Sequence, residues 1–184
     1  MNRAFRVLIL LFLITGLLGC GTLQLNHIIT GTECATREDC INDLHMPNPE
    51  QADIVIVVEP FHIDRMEGKN AFGTLAPDSF RLVADLDLCL LQALSEKFPN
   101  AAIKFSDSSG KIHVKIKDAG VKWGPKAYLE YTATIDGREI AGTVTKFTLF
   151  TISQTKTAAK SFPYLCGKIA ERIKLELATK NVEK

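Results

Sequence analysis

Lys111-Ile112-His113-Val114-Lys115-Ile116-Lys117 alternates apolar and polar residues without a break, the period of a strand with one buried and one wet face. Ile112, Val114 and Ile116 point to a core, and Lys111, His113, Lys115 and Lys117 point away from it. Two further strands are expected downstream, over 126 to 135 and 138 to about 150, joined by Asp136-Gly137. Both turn residues tolerate positive φ, which a two-residue hairpin requires. Tyr128, Glu130, Thr132 and Thr134 then share the wet face with the lysines. These three strands form an antiparallel meander.

Helical spacing flanks the meander on both sides. Phe162, Leu165, Cys166, Ile169, Ala170, Ile173 and Leu177 make an apolar stripe, predicting a helix from near Ser161 with Pro163 in its first turn. Lys168, Glu171, Arg172 and Lys174 face outward on that helix. An earlier helix is expected from Asp78 or Ser79 to about Phe98, stopped by Pro99. Phe80, Val83, Leu86, Leu90 and Leu94 form its stripe, and Asp85, Gln92 and Glu96 its wet side. Before it, Ile54 to Val58 is a run of five β-branched residues that suits a strand covered on both faces, ended by Pro60. Residues 61 to 77 read as a long connection.

The order β-α-β-β-β-α predicts an α+β two-layer sandwich, with two helices on one face of a four-stranded mixed sheet. It occupies residues 53 to 184 as a single domain. Residues 20 to 52 are polar and aperiodic, with the Pro47-Asn48-Pro49 breaker, and read as a tether. Residues 1 to 19 have the layout of a signal peptide. Arg3 and Arg6 are followed by an apolar stretch, Val7 to Leu18, of 12 residues interrupted by Thr15 and Gly16, where a membrane span needs about 20.

That leader ends in Leu17-Leu18-Gly19-Cys20, which resembles the lipobox of bacterial lipoproteins. The resemblance implies cleavage before Cys20, a diacylglycerol on its sulfur and an acyl chain, such as palmitate, on its nitrogen. Three chains anchor a protein essentially permanently, at about 0.8 kcal/mol per buried methylene. The membrane is then a partner through Cys20, and Gly21, in place of the aspartate that retains enteric lipoproteins at the inner membrane, implies the outer membrane facing the periplasm. Element order and size are also similar to the two-layer fold of periplasmic lipoproteins such as the partner of the lipopolysaccharide-export barrel and the auxiliary lipoproteins of ABC-type transport. That likeness covers roughly residues 53 to 178 and lies in the order of elements, so no functional residue is carried over from it. The apolar-aromatic segment expected after the cysteine of the export partner is absent, because the chain reads Gly21-Thr22-Leu23-Gln24-Leu25.

Cleavage leaves residues 20 to 184, enough for one well-buried domain, and removes Arg3 and Arg6 with no acid, so the formal charge moves from +1 to −1. A near-neutral body argues against nucleic acid, whose binding needs a concentrated positive field. Besides Cys20 there are Cys34, Cys40, Cys89 and Cys166. In an oxidising compartment four cysteines allow three disulfide pairings. The expected set is Cys34 with Cys40, in the irregular segment, and Cys89 with Cys166, between the two helices. The longer link would restrict the unfolded chain by about 4 kcal/mol. Cys34, Cys40 and His45 match no tight zinc spacing, so neither metal nor cofactor is expected.

No Gly-x-Ser-x-Gly elbow, phosphate loop or dinucleotide turn occurs in the chain. The histidines, His27, His45, His62 and His113, are dispersed. His62 with Asp64 is the acid-base pair to weigh, and Asp85 with Asp87 reads as helix solubility, since residues two apart on a helix diverge. The chain is therefore expected to be non-enzymatic: a binding or assembly subunit of an envelope transport or assembly machine, with a protein partner. The alternative is a carrier or sensor of a small amphiphile held between helices and sheet. Candidate contact residues are Trp123, which sits between Lys122 and Lys126 in the turn 121 to 126, and the row Lys111, His113, Lys115 and Lys117. Phe147 and Phe150, three apart, place one aromatic ring toward a partner.

Overall fold

The computed structural model describes residues 22–24, 41, 44, 47, 50–67, 81–105, 110–122, 126–148 and 154–182. Its strands are β1 (Thr22–Gln24), β2 (Ile54–Val58), β3 (His62–Glu67), β4 (Arg81–Asp85), β5 (Ala101–Phe105), β6 (Ile112–Lys122), β7 (Lys126–Ile135) and β8 (Arg138–Phe147). The helices are α1 (Leu86–Lys97) and α2 (Gln154–Val182). The fold is α+β, with two helices against a mixed sheet. That sheet has five strands where four were expected, in the order β5-β2-β6-β7-β8, and β1-β4-β3 form a second, smaller sheet.

The meander follows the alternation that announces it. Ile112, Val114 and Ile116 are buried and Lys115 and Lys117 exposed. Between Ile116 and Asp118 the register against β7 shifts, so an extra residue is accommodated and parity reverses. Beyond that bulge it is Ala119 and Val121 that pack against the core. Asp136 and Gly137, at φ 48 and 83, make the tight turn that sets Ile135 opposite Arg138. Each long pairing also matches a tyrosine to a glycine. A Cβ on Gly120 would lie 2.9 Å from the Tyr128 ring, and one on Gly142 3.0 Å from Tyr131, so each ring lies over the neighbouring strand's backbone.

The missed strand changes the topology. β5 is parallel to β2 on one side, and β6 is parallel to β2 on the other. The chain therefore passes from one flank of β2 to the other between Phe105 and Ile112. Gly110 marks the crossing: a Cβ there would stand 2.4 Å from Val57 Cγ2 and 3.2 Å from the Val55 carbonyl oxygen. Val57 is buried beside Gly110, while Ile56 and Val58 belong to the main core on the opposite face. Ala101-Ala102-Ile103, all buried, carry no alternation, and the two alanines little β propensity, which is why sequence pattern passes over β5.

The first helix is shorter than its stripe suggests. Residues 81 to 85 pair with β3 as a strand, and α1 begins at Leu86. The backbone N–H groups of Leu86 and Asp87 donate to the Phe61 carbonyl at 3.0 and 3.4 Å, so part of the helix N-terminus is satisfied by the residue just before β3. Asp85 and Asp87 are not solubility residues: they are 8% and 0% exposed. α1 is buried on most sides, from Leu86 through Leu91.

α2 starts at Gln154, so Pro163 lies inside it and not in the first turn. Its ring removes the N–H that would donate to the Ala159 carbonyl. The expected stripe holds: Phe162, Leu165, Cys166, Ile169, Ala170 and Ile173 are fully buried. Thr157, Ala158 and Ala159 extend that buried face toward the N-terminus. Parts of the segment expected as a tether join the folded body. Thr22–Gln24 pairs in parallel with β4, and Leu44 and Ile41 pack against buried clusters. No helix among the described residues is long and apolar enough to cross a membrane.

Candidate docking site

β8 is the last strand of the larger sheet, and α2 covers the sheet without reaching over it completely. Between them lies a groove of about 590 Å³. Its strand side is Ile140, Gly142 and Val144, with the Tyr131 ring beneath. Its helix side is Tyr164, Lys168, Arg172 and Leu175. Each follows from local geometry. Even-numbered residues of β8 face the helix layer, and residues 164, 168, 172 and 175 recur every three to four positions along one flank of α2.

Of the large hydrophobic side chains exposed among the described residues, Tyr164 at 47% and Leu175 at 58% line this groove, whereas Phe147 at 58% is an odd residue of β8 and faces away from the helix layer. Lys146 Nζ sits 4.4 Å, and Lys168 Nζ 5.8 Å, from the Tyr164 ring centroid, so two cations hold one aromatic ring. Lys168 also pairs with Glu171 at 2.6 Å, and Arg172 with Glu176 at 3.6 Å. Hydrogen bonding with Glu171 pushes Lys168 up, and the same contact pulls Glu171 down. Burial pushes the Tyr131 phenol up, while Arg172 nearby opposes that shift. The site is an apolar trough rimmed by paired charges, with Lys146 a further cation at its Tyr164 end.

The row expected from sequence lies on the other face. Lys111, Lys115 and Lys117 are exposed as expected. Lys115 meets Glu59 at 2.6 Å, Lys117 meets Glu139 at 4.0 Å, and His113 Nε2 lies 2.9 Å from the Gly110 carbonyl. Carboxylates beside two of its lysines make it a weaker landing site for an acidic partner. Near its end, Tyr128 donates to Asp118 at 2.9 Å and lies under Lys122 at 4.7 Å; burial, followed by the Asp118 contact, pushes its phenol up. Trp123, Cys20, Cys34, Cys40, His45 and Phe150 lie outside the described residues.

Cys89 and Cys166 are brought together across the two helices, both buried and both free thiols, so the expected bridge is not formed in this structure. Cys166 Sγ lies within hydrogen-bond reach of Cys89 and 4.0 Å from the Leu86 carbonyl. Burial pushes the Cys166 thiol well above its ordinary value, with Cys89 and Asp87 acting in the same direction. His62 is joined to Asp85, at the end of β4, by an Nδ1–Oδ1 contact. The described residues hold no group of three or more histidine, cysteine or acidic side chains placed for a metal.

No family model matches the chain, and no curated protein does. A solved structure described as a crystal structure of an uncharacterized protein is similar to it, with a TM-score of 0.48 and 13% identity over 70% of this chain and 97% of that one. A likeness of that degree carries no argument about either fold or function.

The β8–α2 groove is the site that sequence reasoning missed. One signal was present: Tyr164 and Leu175 stand on α2 outside its main apolar stripe. Large apolar residues off the core face of a helix mark a second contact surface when they cluster. Their proximity to β8 is not a sequence property.

Proposed function

We propose that this chain is a lipid-anchored envelope protein of the periplasm, held through Cys20 in the outer membrane, and that its folded body is a non-enzymatic binding subunit of a transport or assembly machine. The lipobox-like Leu17-Leu18-Gly19-Cys20 supports the anchor. The observation that carries the binding role is the exposure of Tyr164 and Leu175 within one apolar trough beside the edge strand β8. Exposed large apolar residues that are clustered and rimmed by charge are characteristic of contact surfaces.

Crosslinking in intact envelopes, followed by solubilisation and affinity purification, tests the role. A reproducible companion protein is expected, and recovery of this chain alone would refute it. Cys20→Ser tests the anchor separately, by shifting the protein from the membrane to the soluble fraction or leaving it uncleaved. Unchanged partition with normal maturation would reject lipidation. The second reading, an amphiphile carrier, draws on the apolar floor and the charged rim of the same trough. Native mass spectrometry of the Cys20→Ser protein distinguishes it, since a carrier retains a bound lipid.

A further inference from the structure

We propose that β8 accepts an extended, apolar segment of a partner protein as a sixth strand of the larger sheet, with an acidic side chain of that segment set against Lys146. The inference rests on the binding-subunit reading and specifies how that subunit binds. It starts from the direction of the backbone groups. Asp136 N–H donates to the Lys111 carbonyl at 3.1 Å, so the even residues of β7 bond toward β6 and the odd ones toward β8. The tight turn then makes Ile135 and Arg138 a bonded pair, and the even residues of β8 face β7. Glu139, Ala141, Thr143, Thr145 and Phe147 therefore aim their N–H and C=O groups outward, where the described residues supply no neighbouring strand.

Natural edge strands are guarded by proline, bulges, central charges or shortness. β8 has none of these. Its register against β7 runs unbroken from Arg138 to Phe147, and Ile140-Ala141-Gly142-Thr143-Val144-Thr145 carries no charge. An added strand would direct alternate side chains over the trough, toward Ile140, Gly142, Val144 and Lys146 on one side and Tyr164 and Leu175 on the other. Three cations, Lys146, Lys168 and Arg172, face two carboxylates, Glu171 and Glu176. Those carboxylates pair with Lys168 and Arg172, and none among the described residues is placed on Lys146.

A second copy of this chain fits less well. Two β8 strands related by a two-fold axis normal to the sheet must oppose residues of equal parity. With the axis at Gly142, Arg138 meets Lys146, like charge against like. With the axis at Thr143, Lys146 meets Ile140. Neither register brings a carboxylate to Lys146.

The test uses the acylated protein in detergent and two blocked nine-residue peptides. One reads Thr-Asp-Thr-Val-Thr-Val-Thr-Val-Thr, which places aspartate opposite Lys146 in antiparallel register, and the other replaces that aspartate with lysine. Binding of the acidic peptide is expected to slow amide exchange at Glu139, Ala141, Thr143 and Thr145, and to be at least about tenfold tighter than binding of the basic one. Thr143→Pro removes an outward N–H while sparing the bonds to β7, and should weaken binding at least about tenfold. Lys146→Glu, with no demand on the backbone, should reverse the preference between the peptides. Binding without amide protection, no binding at about 2 mM peptide, or self-association abolished by Thr143→Pro would each overturn strand addition. A companion crosslinked in envelopes equally to wild type and Thr143→Pro would also overturn it, while leaving the binding role intact. The absence of any companion to wild type would instead count against that role.

Discussion

Replacing Gly110 with alanine sets two opposed effects against each other, and the structure decides which prevails. Gly110 is not at positive φ, so an alanine is permitted by the backbone and should stabilise by about 0.4–1 kcal/mol through the unfolded chain. Its Cβ, however, would stand 2.4 Å from Val57 Cγ2, a side chain that is 1% exposed, and 3.2 Å from a backbone oxygen. Overfilling a closed site of this kind costs about 1–3 kcal/mol. The net expectation for Gly110→Ala is a loss of about 1–2 kcal/mol, or roughly 2–8 °C in Tm for a domain of this size. Val57→Ala alone should lose about 1.6 kcal/mol, for two buried methyl-sized groups. In the double variant the alanine occupies the vacated space, so the Gly110 change becomes neutral or stabilising, a coupling of about 1–2 kcal/mol. Urea denaturation of the four proteins reads these values directly. A neutral or stabilising single variant, or strictly additive losses, would refute the close packing of Gly110 against Val57.

With Cys89 and Cys166 reduced, both thiols should resist alkylation in the folded protein and react once it is unfolded, because both are buried. Since the Cys166 value is raised in the folded state, the folded form keeps a proton that the unfolded chain releases. Stability of the reduced protein is then fully present below about pH 8.5 and falls as pH rises toward the folded value, by at most about 1.4 kcal/mol per unit. Cys166→Ala should remove that slope, and an unchanged urea midpoint profile between about pH 8 and 10 would contradict it. Phe162→Ala, which empties the largest fully buried side chain among the described residues, should cost about 3–5 kcal/mol, measured by the same denaturation. A loss below about 1 kcal/mol would mean that α2 does not pack as described.

What the sequence by itself determined is what local periodicity encodes. The alternation at 111 to 117, the Asp136-Gly137 turn and the stripe from Phe162 to Ile173 each declare an element through spacing alone, because the core-facing side of a strand or helix must be apolar at its own repeat. Leu17 to Cys20 declares an address in the same local way. The tertiary structure alone decided where strands meet. Leu82, Val83 and Ala84 suit a strand or a helix equally, and pairing with β3 chose the strand. β5 lacks any pattern, and a partner on only one face of its neighbour's edge gave it a place beside β2. Ile140, Tyr164 and Leu175 are spread over 36 residues of chain, and they share one groove only because α2 lies along the sheet beside its last strand. Side-chain period records which face is buried, whereas strand order and cross-layer neighbours arise from the summed burial of the whole chain, which no window of sequence contains.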